Sequence, residues 1–118
     1  MDTDRIHFVS KGWGYEKWIV NNEKYCGKIL HFVRGRRCSF HFHKIKDETF
    51  YLLSGKLMLR YGFDQDINKA AFITLRPGDR FHIPVGLCHQ MEAFEDSELL
   101  EFSTQHFDED SYRIVFGD

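Results

Sequence analysis

The chain has 118 residues, with 16 Lys and Arg against 18 Asp and Glu and a formal net charge of −2. That is the length of one domain with a small core, and the near-balanced charge gives no electrostatic footprint for nucleic acid or an anionic membrane. Hydrophobic residues make up 42% and aromatic residues 16%, with 12 phenylalanines, which excludes a disordered chain.

In chain order, residues 1–12 read MDTDRIHFVSKG, a polar stretch without an apolar signal core. No apolar run elsewhere approaches the length of a bilayer span, so a soluble, cytoplasmic protein without membrane association is expected. Residues 1–10 are expected to form a short strand or arm. KGWGYEKW follows at 11–18, and its glycines and tryptophans predict a turn with large rings packed over the rim of a core or against a substrate. The NNEK run at 21–24 is turn-like, 26–34 is rich in strand formers, and RGRR at 34–37 turns the chain again.

Residues 35–55 read GRRCSFHFHKIKDETFYLLSG. In an extended strand His41 and His43 point to one face while Phe40 and Phe42 point to the other. Two imidazoles with Glu48 at the start of the next strand form most of a metal site, suited to zinc, iron, copper or nickel, with the carboxylate admitting manganese. A fourth donor is offered by His89, which ends GDRFHIPVGLCH at 78–89. The KIK segment at 44–46 links the two ligand-bearing strands. Its lysines either attract an anionic substrate or form a solvated basic loop, and the solvated loop is preferred.

Beyond it, residues 48–54 and 56–61 are expected to form a hairpin around Ser54 and Gly55. Residues 62–69 are a polar connection, 70–75 a strand, and RPGD at 76–79 a turn. Three more strands are expected at 80–84, 88–94 and 98–103, with a short helix entertained at 108–113. Short strands between glycine-marked turns indicate an all-β sandwich or barrel. His82 is left as a packing residue. Cys26, Cys38 and Cys88, an odd number without a signal segment, are expected to be small buried hydrophobes rather than disulfides or ligands, with Cys38 and Cys88 facing away from the histidines.

The two glycine-bounded stretches resemble the paired motifs of the cupin superfamily. The first, G-x5-H-x-H-x4-E-x6-G, is matched by Gly35, His41, His43, Glu48 and Gly55. The second, G-x5-P-x-G-x2-H-x3-N, is matched from Gly78 through Pro84 and Gly86 to His89, with Ala93 in place of the asparagine. The alternation His89, Met91, Ala93 keeps that position facing inward. The resemblance implies one cupin domain over 1–118, a double-stranded β-helix or jelly-roll barrel, with the motifs at 35–55 and 78–93. It implies a divalent metal ion (Mn, Zn, Fe or Ni) held by His41, His43, Glu48 and His89.

Residues 99–113, LLEFSTQHFDEDSYR, and the Trp13–Gly14 pair further resemble the cupin domain of type II mannose-6-phosphate isomerases. That resemblance implies an aldose–ketose isomerase acting on a sugar or sugar phosphate. Such chemistry needs a base to move a carbon-bound proton, and Glu101 is the candidate; Arg60, Tyr51 and Arg113 are further polar candidates. Two other readings stand beside it: a metal-dependent oxygenase or lyase acting on a small organic acid, and a non-catalytic small-molecule-binding module. A small barrel with open edge strands and rim aromatics is also expected to form a homodimer.

Overall fold

The structure, a computed structural model, describes residues 4–118. Its strands are β1 (His7–Lys11), β2 (Gly14–Asn21), β3 (Cys26–Phe32), β4 (Phe40–Phe42), β5 (Glu48–Ser54), β6 (Leu57–Gly62), β7 (Ala71–Leu75), β8 (Arg80–Ile83), β9 (Cys88–Ala93), β10 (Ser97–Ser103) and β11 (Tyr112–Val115). A short 3-10 turn, Ile67–Lys69, precedes β7. The strands form a six-stranded sheet in the order β1-β2-β3-β10-β5-β8 and a five-stranded sheet in the order β11-β4-β9-β6-β7. Every named strand pairing is antiparallel. Packed face to face, the sheets make the expected jelly-roll. The predicted N-terminal strand is β1, while the first three residues of that prediction lie outside the described residues.

Period-2 alternation builds the interior. In β3 the buried side chains are Cys26, Lys28, Leu30 and Phe32; in β5 they are Glu48, Phe50 and Leu52; in β10 they are Ser97, Leu99 and Glu101. The register aligns them, because Leu99 lies opposite both Leu30 and Leu52, and Glu101 lies opposite both Lys28 and Phe50. The facing sheet adds Leu57, Leu59, Leu75, Met91 and Ala93 to the same core. Fully burying one such leucine contributes roughly 1.5–3 kcal/mol.

Along each strand the buried face changes character. In β3 the sequence runs from Phe32 and Leu30 to Lys28, in β10 from Leu99 to Glu101, in β9 from Ala93 and Met91 to His89, and in β5 from Leu52 and Phe50 to Glu48. The barrel therefore has an apolar plug and a polar interior next to it. As expected, Ala93 points inward, and it belongs to the plug.

Trp13 sits at the tip of the β1–β2 turn and stacks on Phe32, with ring centroids 4.2 Å apart, so it closes the core. The neighbouring Gly14 has φ of +150°, and a Cβ there would collide with the carbonyl oxygen of His31, so no other residue fits.

Five expectations are corrected. The turn expected over 11–18 is confined to Gly12 and Trp13, and Gly14–Asn21 is strand β2. Residues 48–61 do not form a hairpin: β5 pairs with β10 and β8, whereas β6 pairs with β9 and β7. At Gly55 the chain crosses between sheets, with φ of +91° and Ser97 packed where a Cβ would sit. The segment 108–113 is not helical; a turn closed by Asp110 N–H donating to Phe107 O (3.0 Å) leads into β11, which pairs with β4. Cys38 faces inward rather than away, because β4 begins only at Phe40 and strand alternation does not extend back to it. His82 is not a packing residue: it is exposed and pairs with Asp47 at 2.9 Å. All three cysteines are free and buried, as expected.

Candidate metal centre

The cupped interior encloses a cavity of about 600 Å³. His41 and His43 reach it from β4 and its end, His89 from β9, and Glu48 from the start of β5. His41 and His89 are paired across the β4–β9 ladder, which sets their rings side by side, centroids 4.4 Å apart. The His43 ring lies 5.0 Å from that of His41 and 5.4 Å from that of His89. One ring nitrogen from each of the three lies within 4.8 Å of the others.

The tautomers follow from the partners. Nδ1 of His41 lies 2.8 Å from Ser39 O, Nδ1 of His43 lies 2.6 Å from Asp110 O, and Nδ1 of His89 lies 2.9 Å from Leu87 O. A carbonyl oxygen only accepts, so each ring carries a proton on Nδ1 and, in its neutral form, turns an Nε2 lone pair to the cavity. This is the arrangement found when an outer partner orients a metal-binding imidazole. Burial, reinforced by His89 and His43, also holds His41 well below its ordinary range, so it stays neutral and able to donate a lone pair.

Glu48 completes the set. Its Oε2 lies 3.2 Å from Nε2 of both His43 and His89, yet it is buried and accepts no hydrogen bond of acceptable geometry. Burial alone would raise the carboxyl, whereas the ammonium of Lys46, 3.6 Å from Oε1, favours its ionised form. With both rings neutral, two nitrogen lone pairs and a carboxylate oxygen meet at 3.2 Å, an arrangement that a shared cation stabilises. The donor set therefore fits a divalent ion with mixed nitrogen and oxygen ligands.

Beside this set lies a network that sequence patterning missed. Lys46 was expected in a solvated loop, but it is only 3% exposed. Its Nζ lies 3.0 Å from Glu101 Oε2, 3.6 Å from Glu48 Oε1 and 3.2 Å from His106 Nδ1. Desolvation opposes its charge, but Glu101 and then Glu48 more than offset this and raise its pKa. Glu101 faces inward as its candidate role requires, and both Lys46 and Ser103 Oγ donate to its Oε2. His106 donates from Nε2 to Asp108 at 3.1 Å. Burial, with Lys28 and Lys46, lowers its pKa to about 4 against the pull of Asp108.

Elsewhere on the cavity wall, Lys28 Nζ lies 4.2 Å from the centre of the Trp18 ring and 3.7 Å from Glu16, which also accepts from Trp18 Nε1 at 2.8 Å. Lys28 was legible by parity, since it alternates with Leu30 and Phe32. Lys46 and His106 sit in connections, where no periodicity applies. Of the remaining candidates, Arg113 lines the cavity. Arg60 instead pairs with Glu92 and Gln90 (2.9 Å each), and Tyr51 lies exposed on the outer face of its sheet.

A family profile described as Cupin matches residues 32–116. A D-lyxose ketol-isomerase from Thermofilum sp. (strain ex4484_79) is 31% identical over 111 residues, which cover 76% of this chain and 62% of that protein. The chain thus spans less than two thirds of that relative's length.

Among solved structures, the capsular polysaccharide assembling protein CapF from Staphylococcus aureus superposes with a TM-score of 0.80 at 19% identity, covering 94% of this chain and 34% of that one. Oxalate decarboxylase from Bacillus subtilis superposes with a TM-score of 0.79 at 19% identity, covering 92% of this chain and 30% of that one. At such identities these two likenesses establish the fold alone.

Proposed function

This chain belongs to the cupin family, and from that premise we propose that it is a metal-dependent aldose–ketose isomerase acting on a sugar or sugar phosphate. His41, His43, Glu48 and His89 hold the ion, and Glu101 is the base. The observation that carries the reading is the pairing of two features in one cavity. Three Nδ1-anchored imidazoles converge with a buried carboxylate oxygen that lacks a donor, and a second carboxylate, Glu101, stands beside them on Lys46. The similarity to a D-lyxose ketol-isomerase supports it. That relative favours an unphosphorylated sugar, whereas the likeness of residues 99–113 to type II mannose-6-phosphate isomerases favours a phosphorylated one.

A divalent ion in this position supplies Lewis acidity toward a carbonyl and toward the negative charge that develops on it. The chain's own part is proton transfer and positioning. Both side-chain hydrogen bonds of Glu101 fall on Oε2, which leaves Oε1 to take the proton from one carbon and return it to the neighbouring carbon. Lys46 fixes that carboxylate relative to Glu48, since its ammonium touches both. Trp18 and Lys28 line the same cavity, with the ammonium held between the ring and Glu16.

The proposal also takes the chain as one cupin domain, a cytoplasmic homodimer with a small-molecule substrate. Among the described residues no helix is long and apolar enough to cross a membrane. A second reading rests on the donor set itself: three imidazoles and one carboxylate hold redox-active iron equally well, which suits an oxygenase or lyase acting on a small organic acid.

Elemental analysis of protein purified without chelators, with turnover on aldose, ketose and sugar-phosphate panels, tests these readings. Oxygen-independent isomerisation with manganese, zinc or nickel is expected. Glu101→Gln should lower kcat at least about 100-fold while retaining metal, and the double variant His41→Ala, His43→Ala should lose it. Oxygen consumption with iron would favour the second reading. Unchanged metal content in the double variant would defeat the ligand assignment, and tight small-molecule binding without turnover would leave a binding module.

A further inference from the structure

His41 and His89 are oriented from within their own segments, each by the carbonyl two residues earlier. His43 is not. Its Nδ1–H donates to the carbonyl of Asp110, 67 residues away, at 2.6 Å. The Asp110 side chain meanwhile reaches the loop that follows His43. Oδ1 accepts from the N–H of Lys44 at 2.8 Å and of Ile45 at 3.2 Å. Oδ2 accepts from the N–H of Ile45 at 3.2 Å and of Lys46 at 3.0 Å.

Three consecutive backbone N–H groups converging on one carboxylate form an anion-binding nest, here filled by the protein itself. Asp110 is only 2% exposed, so water does not readily replace it. The loop has no sheet pairing of its own, and this carboxylate is what satisfies those three donors.

One residue of the C-terminal segment thus governs residues 43–46: a ring at the candidate metal centre, and the backbone that carries Lys46 to Glu48 and Glu101. We propose that Asp110 is a positioning residue for this centre. It fixes the His43 ring through its main chain and Lys46 through its side chain. The proposal rests on the metal-site reading above for its functional consequence, but its structural content stands apart from that reading.

Asp110→Asn tests it. The shape is kept, but one acceptor oxygen becomes an NH2 group facing a backbone N–H. The main-chain carbonyl remains, but with the side chain no longer anchored by the loop it is not held against His43. In metal-free protein carrying 15N-labelled histidine, ring nitrogen shifts should therefore show His43 moving from a single Nδ1–H tautomer toward a mixture of both, while His41 and His89 stay unchanged. The affinity for Mn2+ should fall about 10- to 100-fold, the usual cost of losing an outer partner.

Asp79→Asn is the stability control, because Asp79 accepts from Arg76 N–H at 2.8 Å in an exposed turn away from the cavity. It should leave Mn2+ affinity within about twofold of wild type, well short of the change expected for Asp110→Asn. The proposal is overturned if His43 keeps its tautomer in Asp110→Asn, if all three rings shift alike, or if Asp79→Asn weakens Mn2+ binding as much.

Amide exchange in the wild-type, metal-free chain needs no variant. The N–H groups of Lys44, Ile45 and Lys46 should exchange as slowly as those of the flanking strands, and exchange at exposed-loop rates would overturn the nest. Should wild-type protein bind no Mn2+, the metal-site reading fails, while the His43 tautomer and the loop amides still decide the role of Asp110.

Discussion

At the scale of single residues, burial decides reactivity. Cys38 is enclosed by the core, and desolvation pushes its thiol up to about 12, only partly offset by hydrogen bonds from the backbone of Met91 and Cys38. At pH 8 its thiolate fraction is then about one in ten thousand. Cys26 and Cys88 are raised as well, again chiefly by burial. A chromogenic disulfide reagent at pH 8 is expected to label close to none of the three thiols in the native protein and all three in denaturant. Rapid native labelling would contradict the burial described.

His106 carries a pH prediction. Its folded pKa of about 4 lies below the ordinary 6.5, chiefly through desolvation. As pH falls below 6.5 the unfolded chain takes up this proton first, so the contribution of neutral His106 is present above that point and is lost progressively toward pH 4. Because the ring is partly exposed, the effect is discounted to about 1 kcal/mol. Thermal melts of metal-free protein should show His106→Gln losing less stability than wild type between pH 7 and pH 5. Equal losses would mean that the ring is not held neutral.

At the scale of elements, the crossing at Gly55 matters most, because it separates β5 from β6 and so places Glu48 and the β6–β9 ladder on opposite walls of the cavity. Gly55→Ala would place a Cβ against Ser97 at φ of +91°. A loss of at least about 2 kcal/mol is expected, read as a lower denaturation midpoint at unchanged slope. Sequence patterning located both strands to within a residue or two but joined them as a hairpin. A glycine-marked turn between strand-like runs looks the same whether the second strand returns beside the first or leaves for another sheet. β11 was missed for a related reason: its residues Tyr112–Val115 are polar in part, and only pairing with β4 makes them a strand.

At the scale of the molecule, the outer face of the six-stranded sheet carries an apolar row across its central strands. Ile29, Leu100 and Tyr51 lie in register across three strands, flanked by Ile19, Leu53 and Phe102, the last 57% exposed. This apolar row, bounded by Lys17 and Arg80 in the same register, is the face that we propose a two-fold partner would bury on both copies. Sedimentation at micromolar concentration is expected to give twice the monomer mass, and Phe102→Glu to give the monomer with the metal site intact. A wild-type monomer would count against the dimer.

By itself the sequence determined the all-β cupin fold and brought His41, His43, His89 and Glu48 to one cavity, while the direction Glu101 faces was left to the structure. Strand parity and motif spacing are local properties, and a chain carries them openly. Tertiary structure alone decided which connections enter the cavity. Lys46, His106 and Asp110 lie in segments without periodicity, and their partners stand 55 to 67 residues away in the chain. Their burial follows from how the sheets close and where the C-terminal segment crosses the open end, and neither follows from alternation along any one strand.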